Sequence, residues 1–153
     1  MPAIEVGSLA PEFSLKDHRK ENITLSAYRG KKVLLSWHPL AFTSVCTDQM
    51  RALEANWERF QALNTMPLGM SIDSTACKAA WAAVLSINHV PLVCDFWPHG
   101  QVATAYGIFI DKLGLSERAN ILVDETGQVV WVKVYPMKEL PDIEEVLAAI
   151  AGN

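Results

Sequence analysis

The chain has 153 residues, half of them hydrophobic and a fifth charged, with a net charge of −4. That length suits one domain, residues 1–153, which buries about two-thirds of its unfolded surface and so needs no disulfide support. The acidic balance, with no Lys/Arg cluster beyond the solvated turn at Arg29, Lys31 and Lys32, argues against a nucleic-acid surface, and no apolar run approaches the roughly 20 residues that span a bilayer.

Residues 1–9 show no basic segment followed by an apolar core, so no export signal and a cytoplasmic location are expected. Phe13-Ser14-Leu15 and Ile23-Thr24-Leu25 predict extended segments. Val33-Leu34-Leu35-Ser36-Trp37 predicts a short buried strand, which Pro39 ends because proline cannot donate to a ladder. Met50, Leu53, Trp57 and Phe60 then recur at three- and four-residue spacing, with Asp48, Arg51, Glu54, Glu58 and Arg59 largely opposite. This pattern predicts one amphipathic helix whose first turn holds Cys46.

A strand over 68–72, a helix over about 76–87 and a short strand over 91–94 follow. Next come a turn at Trp97-Pro98-His99-Gly100 and a helical segment near 102–106. Strands over 119–123 and 129–135 are joined by Asp124-Glu125-Thr126-Gly127, and Ile143, Val146, Leu147 and Ile150 mark the apolar face of a last helix. Strands alternating with helices predict an α/β fold with parallel pairing. If the strands at Val33, Leu68 and Pro91 are parallel, then Pro39, Asp73 and Cys94 share the edge where such sheets place their sites. Cys77 falls in the first turn of the next helix on that edge.

Unpaired N–H groups and the positive end of the helix dipole favour a thiolate in a first turn, which marks Cys46 as a candidate nucleophile. The three cysteines are an odd number without an export signal, so they read as thiols that do chemistry or sit in the core. No Cys-x-x-Cys is present, which disfavours a dithiol exchanger, and no cysteine or histidine shows zinc-ligand spacing.

Pro39, Thr43 and Cys46 form a Pro-x-x-x-Thr-x-x-Cys segment similar to the active-site signature of peroxiredoxins. Ser71-Ile72-Asp73-Ser74, Ala80-Trp81, Pro91-Leu92, Pro98-His99-Gly100, Ala105-Tyr106-Gly107 and Arg118-Ala119, followed by Ile121-Leu122-Val123-Asp124, resemble further family segments in family order. The resemblance runs from Gly7 to about Tyr135. It implies a thioredoxin-like fold with an N-terminal extension, a central mixed sheet flanked by helices, and a site completed by an arginine, here Arg118.

The chemistry suits those residue types. Thiolate attack on a peroxide O–O bond needs donors aimed at the oxygen on which charge develops. Arg118 offers a permanently charged planar fork, the Thr43 hydroxyl can donate to substrate, and Pro39 shields the thiolate from water. Each also has a plain structural role open to it: Thr43 as a helix N-cap, Arg118 as a solvated surface residue.

The implied activity is thiol-dependent reduction of hydrogen peroxide or small organic hydroperoxides through a sulfenic acid on Cys46, with no cofactor and no metal. An external thiol, a thioredoxin-like protein or a small molecule, is the implied reductant. Cys77 is the candidate resolving thiol, with a half-buried helix residue as its alternative, and Cys94 reads as a core strand residue. The other function class left open is a peroxide sensor or redox-regulated binding protein that uses Cys46 as a switch.

Two residues depart from the pattern. Gln49 stands where relatives commonly carry glutamate, keeping hydrogen bonds without the charge. His38 stands where an aromatic residue is common; a histidine there can tune the site's charge near neutral pH, but packing beside Trp37 in neutral form is the expectation. The chain lacks a Gly-Gly-Leu-Gly segment after Trp81 and a C-terminal cysteine arm. It therefore resembles most the small single-domain AhpE-like or bacterioferritin-comigratory-like members, which are monomers or homodimers.

Overall fold

Strand-length apolar runs in the 153-residue chain pair into one central sheet in the computed structural model, which describes residues 2–153. The strands are β3 (Lys32–Trp37), β4 (Thr65–Ser71), β5 (Leu92–Cys94), β8 (Arg118–Val123) and β9 (Val129–Tyr135), in the order β5-β4-β3-β8-β9. β3, β4 and β5 are parallel, whereas β8 runs antiparallel to β3 and β9 antiparallel to β8. Period-2 alternation explains the near-continuous apolar runs. Val33, Leu35 and Trp37 enter the core on one face, and Leu34 enters the core on the other.

The second core lies under α1 (Ser44–Ala55), α2 (Trp57–Ala62), α3 (Thr75–Leu85) and α5 (Ile143–Ala151), which contribute Met50, Leu53, Phe60, Trp81, Leu85, Val146 and Ile150. The first is covered by the N-terminal segment, through Phe13, Ile23 and Leu25, and by α4 (Gln101–Ala105). β1 (Ser14–Lys16) and β2 (Asn22–Thr24) form a separate antiparallel pair. The mixed sheet between helices is the thioredoxin-like arrangement expected from the sequence. Among the described residues no helix is long and apolar enough to cross a membrane.

Three local readings need correction, and one strand pair has no counterpart in the sequence reading. The helix expected to run from Cys46 past Phe60 breaks at Asn56, whose backbone leaves helical geometry (φ −107°, ψ 16°) while its side chain donates to the Ala52 carbonyl at 2.8 Å. A short polar side chain competing for a local carbonyl is a known helix terminator. Leu25 does not extend the second strand but starts a 3-10 turn, Leu25–Tyr28. A two-residue pair, β6 (Phe109–Ile110) with β7 (Leu115–Ser116), has no sequence signal strong enough to predict it. The basic turn is not merely solvated either, since Lys32 pairs with Glu125 at 3.4 Å.

The turn over 124–127 forms as expected. Asp124 Oδ1 accepts from the backbone N–H groups of Thr126 and Gln128, and Gly127 takes φ +94°, a left-handed conformation that favours glycine.

Candidate active site

Parallel β3, β4 and β5 deliver residues 38–43, Asp73 and Cys94 to one edge, as the sequence predicts, and α1 begins there. Cys46 is the third residue of α1, so its amide is among those with no intrahelical partner. The residue is 1% exposed.

Arg118 starts β8 opposite Tyr135 on β9. Only 3% exposed, it is not a solvated surface residue. Nη1 donates to Cys46 Sγ at 3.3 Å and to Gln49 Oε1 at 2.8 Å, while Nε and Nη2 donate to the Met137 carbonyl at 3.1 and 2.7 Å. The Met137 carbonyl thus holds one side of the fork so that the other faces sulfur. Gln49 completes the frame, donating from Nε2 to Ser36 Oγ at 2.9 Å and to the Trp37 carbonyl at 3.1 Å. Its Oε1 accepts from Arg118 as a carboxylate would, whereas the bond from Nε2 to the Trp37 carbonyl is one that an ionised carboxylate could not make.

Thr43 occupies the N-cap position of α1, yet its side chain makes no capping bond. Its hydroxyl donates instead to the Leu40 carbonyl at 2.7 Å. Two lone pairs remain on Oγ1, and the exposed hydroxyl can turn to a ligand. Pro39 is buried and brings no donor. Between them Phe42 sits at φ +67°, a left-handed conformation that costs a bulky residue about 1–3 kcal/mol. The surroundings must hold the loop against that strain. Asp73 Oδ2 does so by accepting from the Ala41 N–H at 2.9 Å.

Behind the loop lies a feature missed in the sequence. Lys78 on α3 is fully buried, with Nζ 3.0 Å from His38 Nε2 and 2.7 Å from Ser71 Oγ. Ser71 Oγ in turn donates to Asp73 Oδ2 at 2.7 Å. The signal was present: positions 78, 81, 82 and 85 form the helix's buried stripe, and the lysine is the one polar residue on it. Burial, only partly offset by Cys94, Asp73 and the other thiols, lowers its pKa to about 8.

His38 is neutral, as expected. Burial first, then the Lys78 and Arg118 charges, hold its pKa well below the ordinary value, and the Ser36 backbone offsets this only in small part. Its ring packs on Trp81, 5.2 Å between centroids, rather than simply lying beside Trp37. Nε2 accepts from Lys78, and Nδ1 has no hydrogen-bond partner among the described residues.

Cys77 lies in the first turn of α3, where its thiol donates to Asp73 Oδ1 at 3.8 Å. Partial burial and the Asp73 charge push its pKa up. Cys94, the last residue of β5, is buried, and burial raises its pKa to about 11. None of the three cysteines is paired, and among the described residues no group of His, Cys, Asp or Glu could hold a metal ion.

A cysteine at a helix N-terminus with a guanidinium on its sulfur, placed at the edge of a thioredoxin-like sheet, defines a thiol-based oxidoreductase. The chain belongs to the AhpC/TSA family, whose family model matches residues 6–132. It is 34% identical over 140 residues to alkyl hydroperoxide reductase E of Mycobacterium tuberculosis, covering 91% of each chain. It is also 35% identical over 155 residues to a peroxiredoxin of Thermoplasma volcanium, covering 98% of this chain and 74% of that one. Among solved structures, a reduced 2-Cys peroxiredoxin of Plasmodium vivax superimposes with a TM-score of 0.85 at 29% identity, over 95% of this chain and 80% of that one.

Proposed function

We propose that this protein is a thiol-dependent peroxidase that reduces hydrogen peroxide or small organic hydroperoxides through Cys46. The observation that carries the proposal is the 3.3 Å contact from Arg118 Nη1 to Cys46 Sγ in the first turn of α1. The Cys46 thiolate attacks one peroxide oxygen, the O–O bond breaks heterolytically, and the sulfur is oxidised to a sulfenic acid. The departing oxygen takes a proton and leaves as water or an alcohol. Arg118 stabilises the charge that moves from sulfur to the leaving oxygen, and the Thr43 hydroxyl orients the peroxide. The near-complete burial of Cys46 favours small peroxides.

Reduction of the sulfenic acid comes from an external thiol, a thioredoxin-like protein or a small molecule. One thiol displaces water to form a mixed disulfide with Cys46. A second thiol then attacks that disulfide and restores the enzyme. Cys77 suits the resolving role poorly, because partial burial and the Asp73 carboxylate to which it donates keep the thiol protonated, and only a thiolate attacks. Peroxide consumption coupled to dithiothreitol or a thioredoxin system tests the assignment: wild type turns over and Cys46→Ser does not. Turnover by a folded Cys46→Ser variant refutes it.

A further inference from the structure

The Lys78 network, which peroxide chemistry at Cys46 does not itself require, reaches both ends of the loop over the nucleophile. On one side Nζ meets His38, the residue before Pro39; on the other it meets Ser71, whose hydroxyl is bonded to the carboxylate that holds the Ala41 N–H. His38 is pinned further by its own N–H to the Met70 carbonyl at 2.9 Å. One buried cation therefore ties together the two anchors of a loop that carries Phe42 in a strained left-handed conformation.

We propose that Lys78 is a positioning residue for peroxide reduction: its buried ammonium, acting through His38 and through Ser71 and Asp73, holds the loop over residues 39–43 in the shape that receives peroxide at Cys46. The proposal rests on Cys46 being the peroxidatic thiol. A buried lysine without a function is expensive, since an apolar residue would pack on Trp81, Ala82 and Leu85 without desolvating a charge. Charge-assisted hydrogen bonds are about twice as strong as neutral ones, so a protonated Lys78 grips His38 and Ser71 more firmly than a neutral amine does.

Titratable and charged groups act on this cluster from every side. Asp73 lies just beyond β4, Cys94 on β5, Cys46 on α1 and Cys77 on α3 itself; His38 follows β3, and His18 lies in the β1–β2 connection. Arg118 acts on the cluster through His38. Loss of the Lys78 proton, centred at about pH 8, weakens both anchors. The thiols of Cys77 and Cys94, whose pKa values are raised above 9.0, titrate later.

The test is the second-order rate constant for Cys46 oxidation by hydrogen peroxide, measured by stopped flow from pH 6 to 10 in wild type and Lys78→Met. In wild type the rate falls roughly three- to tenfold with a midpoint near pH 8. Lys78→Met is slow throughout, about tenfold below wild type at pH 7, and lacks the alkaline fall. A flat wild-type profile above pH 7, a fall centred above pH 9, or a folded Lys78→Met with the wild-type profile overturns the proposal. If Lys78→Met does not fold, Ser71→Ala, which cuts the arm from Lys78 to Asp73, takes its place, and a folded Ser71→Ala with the wild-type rate and profile overturns the proposal. Absence of Cys46 oxidation at every pH is a different failure, that of the peroxidase assignment itself.

Discussion

Replacing Arg118 with methionine keeps much of the side-chain volume while removing the charge that faces sulfur. Of the four hydrogen bonds lost, those from Nε and Nη2 end on the Met137 carbonyl, and only those from Nη1 reach the site, at Cys46 and Gln49. The bond to Cys46 Sγ is the one that changes between thiolate and transition state. A hydrogen bond involving a charged group contributes about 1.5–3 kcal/mol. At 1.36 kcal/mol per factor of ten, Arg118→Met should oxidise about 10- to 150-fold more slowly than wild type. Rapid mixing with hydrogen peroxide under pseudo-first-order conditions, followed by tryptophan fluorescence, measures this. Trp81 reports because its ring lies 5.2 Å from that of His38 and 6.2 Å from that of Phe42. A folded Arg118→Met whose rate stays within about threefold of wild type would show that the 3.3 Å contact has no catalytic consequence.

Cys77→Ser should be recycled by external thiols as fast as wild type, as judged by steady-state peroxide consumption, because Asp73 keeps the Cys77 thiol protonated; loss of recycling would make Cys77 the resolving residue. Stability should depend on pH through Lys78 with a definite sign. Its pKa is about 8 in the folded chain against an ordinary 10.5, so across that window the unfolded chain holds more protons and stability rises with pH, by up to about 3 kcal/mol. Denaturant unfolding of wild type against Lys78→Met should therefore show wild type gaining between pH 8 and 10.5, and equal slopes would contradict a buried charged lysine. Cys94 has the opposite sign: its pKa is raised from 9.0 to about 11, so it costs stability as pH climbs through that range, and Cys94→Ala should lose less in the same assay.

The central sheet was legible because β3 and β8 are buried on both faces and write themselves as apolar runs, while the 124–127 turn carries its own Asp and Gly chemistry. Cys46, Thr43 and Pro39 were legible as a local motif. Arg118 was identified only by resemblance, since contact between residues 72 positions apart depends on β8 pairing antiparallel with β3. Gln49 stood out as a departure, but its bridge between Arg118, Ser36 and Trp37 needs the helix docked on the sheet. Lys78 was passed over because lysine on a helix is ordinarily solvated; its place on the Trp81, Ala82 and Leu85 stripe, rather than its residue type, was the clue. The break at Asn56 was hidden because the apolar spacing continues through Trp57 and Phe60 on the next helix.

The most direct test of a peroxidatic Cys46 is to treat the reduced protein with one equivalent of hydrogen peroxide in the presence of dimedone, then locate the label by peptide mass spectrometry. The label should fall on Cys46 and leave Cys77 and Cys94 as free thiols. Labelling of Cys77 or Cys94 in its place, or no modification of Cys46, would contradict the account.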